Sequence, residues 1–214
     1  MLKFLLLITY AEHMLIYWYY SYLYLIINKR FIHEKKAKQA AIHSLQTQLT
    51  ILPIMGYIFY LVYSTFDKLY ILGPPVFSMH EVYQWILMFC WEEMLFYHFH
   101  KLLHTPRLYH FHKKHHEWIS PIPWVALYAS PVENVLVNFL PVLSAPLIVG
   151  LNVYHLYIWI AVATLSSVMS HTVWFRTPHN LHHKYFYGNY GALYLLDRIR
   201  GTYLTDKTIL PLFD

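Results

Sequence analysis

Long apolar stretches run through most of this 214-residue chain, and they decide what it can fold into. Backbone placed in lipid has no water to bond, so a spanning stretch must be helical or belong to a closed barrel. Stretches of near-spanning length cover about Phe4 to Ile27, Leu49 to Phe66 and Val82 to His100. Two more fill Pro131 to Ser170 as a tight hairpin near Gly150-Leu151-Asn152. The first is too long and too aromatic for a signal-peptide core, and no small-residue cleavage site follows it, so it reads as an uncleaved span. Pro53 is expected to kink the second span, and Gly73-Pro74-Pro75 to form a turn within Asp67 to Met79. Glu12 and His13 are expected to face other helices, because a charge against lipid is costly. The predicted fold class is all-α: an integral membrane bundle of four to five spans with a cytosolic, histidine-bearing helical cap. Residues 1–79 form an N-terminal membrane region with two spans, and residues 80–214 carry the histidine clusters.

Charge supports this layout. Charged residues make up 13% of the chain, about half the usual share of a soluble domain. The net charge of +5 comes from basic residues dispersed beside apolar runs, which suits orientation in a membrane better than nucleic-acid binding. Lys29 to Lys38 hold five basic residues, Lys101 to Lys114 four, and the tail after His171 five. Only Lys3 and Lys68 fall on the opposite side. Five spans with a lumenal N-terminus place every histidine cluster on or near the cytosolic side. The single cysteine, Cys90, excludes an intramolecular disulfide framework and a C-x-x-C zinc site.

Sixteen histidines are the anomaly. His100-Lys101-Leu102-Leu103-His104 is an H-x-x-x-H. His112-Lys113-Lys114-His115-His116 and His179-Asn180-Leu181-His182-His183 are both H-x-x-H-H, with His171 just upstream of the latter. Helix residues three and four apart share a face, so each cluster is expected to present two or three imidazoles to one point. These rings exceed the roughly four to six ligands of one metal and suit two. Imidazole suits iron, zinc and copper, and it ligates in the neutral form, so many rings can converge without accumulating charge. His13, His33, His43, His80 and His155 read instead as interfacial or hydrogen-bonding residues, as do His98 and His110.

Other chemistries fit less well. A bis-histidine haem leaves most of the clusters unexplained. H-E-x-x-H, the paired E-x-x-H of carboxylate-bridged bundles, G-x-S-x-G, the P-loop and G-x-G-x-x-G are all absent. Reducing equivalents for a metal pair must therefore come from outside these residues. Iron in such a site supplies dioxygen chemistry, while the protein positions the substrate and excludes water. Clusters at the cytosolic helix ends suit a lipid whose polar head stays at the interface.

The same residues carry a family resemblance. Glu92-Glu93 through His98-Phe99-His100-Lys101-Leu102-Leu103-His104 resembles the first histidine box of the fatty acid hydroxylase superfamily, with Lys101 in place of the usual arginine. Leu108-Tyr109 through His112-Lys113-Lys114-His115-His116-Glu117-Trp118 and Ser120-Pro121-Ile122 resembles its second box. Gly188-Asn189-Tyr190-Gly191, Asp197-Arg198 and Gly201-Thr202 resemble its closing signature. The similarity covers about Trp91 to Thr202 and is nearest to the sterol C4-methyl oxidase branch. The resemblance implies a multi-pass protein of the endoplasmic reticulum with its histidine motifs in the cytosol. It implies two iron ions, dioxygen, and electrons from NAD(P)H through a reductase, cytochrome b5 or both. It also implies His100, His104, His112, His115, His116, His179, His182 and His183 as metal ligands, with His171 as a ninth, and residues 80–214 as the catalytic region.

One departure concerns Ser130, where relatives carry histidine in a His-Pro-x-Glu motif. Serine ligates iron poorly, so a ligand or a supporting hydrogen bond is expected to be missing there. The interval from His171 to His179 is also short. Glu92 or Glu93 either orients a ligating imidazole or sits solvated at a helix end. Asp197 either does the same or pairs with Arg198 or Arg200 at the surface. Asn189 and Gly191 are expected to shape a turn. The leading reading is a lipid monooxygenase acting on a sterol or acyl chain. A sterol C-5 desaturase-like enzyme and a catalytically weakened metal-binding paralogue are the alternatives.

Overall fold

Five long helices account for the apolar stretches. The computed structural model describes residues 2–28, 35–70, 78–172 and 177–205. His33, the Gly73-Pro74-Pro75 turn and the basic residues Lys29, Arg30, Arg176 and Lys207 lie outside the described residues. Helix α1 spans Leu2–Ile27 and α2 spans Lys35–Thr65. A two-residue strand β1 (Leu69–Tyr70) precedes α3 (Met79–Leu103) and the one-turn α4 (Tyr109–His112). Helix α5 (Pro131–Glu133) runs through a π-helical stretch (Asn134–Phe139) into α6 (Leu140–Val149). Strand β2 (Leu151–Asn152), α7 (Val153–Ser170), α8 (Pro178–Tyr185) and α9 (Leu195–Arg200) complete the order.

Among the described residues, α2, the continuous 131–149 helix and α7 are long and apolar enough to cross a membrane. Helices α1 and α3 match the first and third expected spans in length, at 26 and 25 residues. Their tyrosines, tryptophans, histidines and glutamates lower their hydropathy. Helix α2 begins at Lys35, well before the expected Leu49, and continues through Pro53. The physical reason is a face of small residues. Ala37 and Ala40 pack with Tyr24, Leu25, Trp118, Ile122 and Val125. Further along, the Ser44 hydroxyl donates to the Trp124 carbonyl at 2.6 Å. A hydropathy scan registers only the second half of such a helix.

The two ends of the bundle differ. At one end β1 pairs in parallel with β2, Leu69 opposite Leu151 and Tyr70 opposite Asn152. This joins the loop after α2 to the α6–α7 hairpin. The turn there needs the left-handed backbone of Gly150, at φ 68°. Its carbonyl accepts from the Gln84 amide at 2.8 Å. The histidine clusters lie at the other ends of these helices and in the segments that follow.

Three buried polar side chains organise the final segment, and one of them, Glu93, ties it onto α3. Glu93 accepts backbone N–H groups from Leu193 at 2.7 Å and Leu196 at 2.8 Å. Asp197 accepts from the N–H groups of Tyr190 and Gly191 and from the Thr202 hydroxyl. Asn189, itself at φ 52°, donates to the carbonyls of Pro178 and Leu204 and accepts from the Leu204 N–H. Gly191 must be glycine for reasons of space, because a Cβ there would sit 2.5 Å from Glu93 Oε1. Gly191→Ala is therefore expected to destabilise the fold by about 1–3 kcal/mol, in the range of overpacked sites. Thermal unfolding of the variant in detergent checks this, and a melting temperature equal to wild type would refute the crowding.

Candidate metal centre

Helical spacing brings the histidines together, but not cluster by cluster. His100 and His104 lie at the end of α3. His112 ends α4, and His115 and His116 lie on the 3-10 turn that follows, His115–Glu117. His171 caps the C-terminus of α7, and His179, His182 and His183 lie on α8. One group comprises His100, His104, His112, His116 and His182; the other comprises His115, His171, His179 and His183. Within each group one nitrogen per ring lies within 4.8 Å of the others. Each H-x-x-H-H brings two rings to one point, as expected, and sends its third to the other group. Its i,i+4 pair enters one group and its middle histidine enters the other, because residue i+3 is rotated off the line joining i and i+4.

The inward atoms are all Nε2. His112 Nε2 lies 3.1 Å from that of His100 and 2.9 Å from that of His116. His182 Nε2 lies 3.1 Å from that of His104 and 3.0 Å from that of His116. In the second group the separations are 3.3 Å for His171 and His115, 3.2 Å for His179 and His171, and 3.1 Å for His183 and His179. Behind the rings, Nδ1 of His100, His171, His182 and His183 lies within 2.7–2.8 Å of the carbonyls of Tyr190, Ser167, Gly188 and Trp118. A carbonyl only accepts, so each of these Nδ1 atoms carries the ring proton, and the Nε2 lone pair points inward. Converging lone pairs about 3 Å apart repel unless a cation lies among them. Imidazole nitrogens about 2.0–2.1 Å from one ion lie roughly 3 Å from one another at right angles. The donor set therefore fits a metal ion in each group.

Glu133 is the residue that spacing alone missed. Its Oε1 lies 2.9 Å from His112 Nδ1 and 3.9 Å from His115 Nδ1, so one buried carboxylate stands behind a ring of each group. Ser130 positions it. The Ser130 hydroxyl caps α5 by accepting from the Glu133 N–H at 3.2 Å. The Ser-Pro-x-Glu pattern is a helix-start signal that could have exposed this arrangement. Both imidazole groups are assembled without Ser130. The supporting roles considered for the other carboxylates are corrected as well. Glu93 bonds backbone amides and no imidazole, and Glu92 lines the adjoining cavity. Asp197 is fully buried and bonds Tyr190, Gly191 and Thr202, and so acts on His100 only through the Tyr190 backbone. Four of the isolated histidines make ring hydrogen bonds: His13 with Thr164 and Gln48, His43 with the Ala129 carbonyl, His98 with the Met94 carbonyl, and His155 from Trp85.

Burial, followed by the neighbouring imidazoles, lowers the histidine pKa values throughout the site. His104 is lowered to about 2 by burial and then by His100. His171 is lowered to about 4 by burial, despite its bond to the Ser167 carbonyl. His112, His115, His179, His182 and His183 are lowered well below the ordinary range, burial again first. All are neutral at pH 7, the form that binds metal. An unfolded chain protonates these rings near pH 6.5, whereas the folded chain resists until lower pH, so acid favours unfolding. Stability is expected to be full above about pH 6.5 and to fall toward about pH 4, the lowered value for His171. Bound metal is expected to leave over the same interval, which pH-jump metal release and thermal unfolding would show. Stability that stays flat between pH 7.5 and 5 would contradict a neutral buried cluster.

Comparison with known proteins agrees with this geometry. The fatty acid hydroxylase family model matches residues 85–202. Fatty acid hydroxylase domain-containing protein 2 of Homo sapiens is 41% identical over 118 residues, 52% of this chain and 35% of that protein. Fatty acid hydroxylase ahd1 of Mycosarcoma maydis is 35% identical over 133 residues, 59% of this chain and 35% of that protein. Methylsterol monooxygenase erg25B of Aspergillus fumigatus is 31% identical over 148 residues, 58% of this chain and 49% of that protein. The chain thus spans between about a third and a half of the curated relatives it matches. No solved structure matches it. With more than half of its length under the family model, and with all nine clustered histidines inside the matched segment, the chain belongs to the fatty acid hydroxylase family.

Proposed function

We propose that this protein is a membrane-bound, non-haem di-iron oxygenase that hydroxylates a lipid, a sterol or a fatty-acyl chain. One observation carries the reading: five histidines of the two imidazole groups line a largely apolar cavity that reaches exposed residues of α1 and α2. The cavity measures about 600 Å³ and is bordered at one end by His100, His112, His115, His171 and His179. At its other end it is bordered by Leu6 and Leu7 of α1 and by Gly56 and Tyr57 of α2. Leu7 is 61% exposed and Tyr57 62%, so this end meets the outer surface of membrane-spanning helices. A Cβ at Gly56 would meet nothing within 4 Å, which leaves the gap between α1 and α2 open. The volume lies within the range of sites that bury a drug-sized molecule.

His100, His104, His112, His116 and His182 would hold one ion, and His115, His171, His179 and His183 the other. Iron bound there supplies the dioxygen chemistry that attacks an unactivated C–H bond. The chain's own residues provide position and dryness. Carbonyl partners fix the ring orientations of His100, His171, His182 and His183. Phe96, Leu127, Phe139 and Ile160 keep the cavity apolar. Electrons come from NAD(P)H through a reductase, cytochrome b5 or both. Exposed Lys101, Arg107 and Lys113 at the histidine end suit an acidic donor. Residence in the endoplasmic reticulum with the histidine end in the cytosol completes the reading. The names of the relatives, with methylsterol monooxygenase among them, support oxidation of a lipid.

Three measurements test the proposal. Purified protein is expected to hold two irons per chain. Cells carrying His179→Ala are expected to accumulate a lipid precursor that wild-type cells convert, and identical sterol and fatty-acid profiles would overturn the assignment. Gly56→Trp, which fills the gap between α1 and α2, is expected to lower turnover at least tenfold with iron content unchanged. Full turnover in that variant would show that substrate does not pass there.

A further inference from the structure

Midway along the cavity a polar group interrupts the apolar lining. Trp18 Nε1 donates to Gln48 Oε1 at 2.8 Å. Gln48 Nε2 lies 3.1 Å from His13 Nε2, and His13 Nδ1 lies 2.9 Å from Thr164 Oγ1. Proton placement follows from these contacts alone. An indole N–H can only donate, so it fixes the Gln48 oxygen toward Trp18 and the amide NH2 toward His13. His13 Nε2 must then accept, and the single proton of the neutral ring lies on Nδ1 and is donated to Thr164. Thr164 Oγ1 is thus already an acceptor, and its own hydroxyl proton has no acceptor among the described residues. Thr164 is 5% exposed and lines the cavity, as does His13. A buried donor without a partner is costly, which marks this hydroxyl as a place where a ligand oxygen belongs.

We propose that Thr164, held by His13, Gln48 and Trp18, is a binding site for a neutral acceptor oxygen, a hydroxyl or carbonyl, carried by the lipid substrate. The cavity lining restricts the chemistry of that oxygen. No lysine or arginine lines it, and its acidic members are Glu92 and Glu133. A carboxylate or phosphate in this space would be desolvated with no lysine or arginine to pair with, a cost that an alcohol, ketone or ester oxygen does not carry. Thr164 precedes His171 by two helical turns on α7, about 10 Å. The site therefore measures a distance: the lipid oxygen is held about 10 Å from the metal end of the cavity. This deepens the oxygenase reading and rests on it for the meaning of that distance, whereas the binding itself requires neither metal nor turnover.

The same four residues also join α1, α2 and α7, so the test must separate gluing helices from binding a ligand. The full chain in lipid nanodiscs is titrated with octadecan-9-ol, octadecan-1-ol and octadecane, and binding is read from tryptophan fluorescence. Wild type is expected to prefer octadecan-9-ol over octadecane by about tenfold, the worth of one buried hydrogen bond. Thr164→Val is expected to lose that preference while binding octadecane as before, and Thr164→Ser is expected to keep it. Equal wild-type affinity for alcohol and alkane would overturn the proposal whether or not the variants fold. A Thr164→Val protein that binds all three probes equally weakly would overturn it as well, leaving only a helix-joining role. Loss of lipid turnover in His179→Ala alters none of these binding results, so the two readings fail separately.

Discussion

Nine imidazoles, eight buried and His104 half-buried, turn their Nε2 atoms toward two centres, and much of the chain is arranged to keep them so. Each ring is neutral because burial makes charge costly, and four are locked in one tautomer by carbonyls behind them. Two of those carbonyls, of Gly188 and Tyr190, belong to the irregular segment after α8. The Tyr190 carbonyl is held because Asp197 and Glu93 grip the neighbouring amides, and the Gly188 carbonyl belongs to a turn at φ 67°. The carboxylates that sequence reasoning weighed as ligand partners thus hold backbone that in turn orients ligands. Removing any of these acids leaves buried amides unpaired, which couples folding of the final segment to the shape of the metal site.

Much of this was legible in the sequence. Apolar length marked all five long helices, and the parallel pairing of β1 with β2 joins two connections that the charge pattern placed on one side. Histidine spacing marked eight of the nine inward-facing rings, and the family resemblance added His171. The division into two groups was not legible as a grouping of neighbours, because each H-x-x-H-H serves both centres. In hindsight the rule is simple: His100 with His104, His112 with His116, and His179 with His183 are i,i+4 pairs and stay together. The first half of α2 escaped notice because its buried face is built from Ala37, Ala40, Ser44 and Thr47, which carry little hydropathy. Glu133 escaped because its role depends on a helix start supplied by Ser130, and one-dimensional spacing does not show where a helix points.

The cavity shows how a small helical bundle joins an apolar chamber to a histidine wall. Its walls come from helices that a membrane surrounds, and its closed end comes from segments beyond them. Helix α7 serves both purposes. Ile160 and Ala163 line the cavity, Ser167 and Ser170 follow, and His171 ends the helix among the clustered histidines. The π-helical stretch at Asn134–Phe139 has a similar effect, placing Val137, Asn138 and Phe139 on the cavity side just after Glu133. Wide helical turns of this kind recur at functional sites because they re-aim side chains without ending the helix.

Helix α2 has a consequence for how the molecule sits in its surroundings. Its 31 residues extend about 46 Å, against roughly 30 Å of hydrocarbon. The first turns are packed against Trp118, Ile122 and Val125 and cannot sink into lipid without taking the whole histidine assembly along. The helix therefore works as a stilt, fixing the distance between the histidine assembly and Gly56. A thinner or thicker membrane is met by leaning of the entire body, and the span from Gly56 to the histidines stays constant while the level of the surrounding headgroups shifts past it.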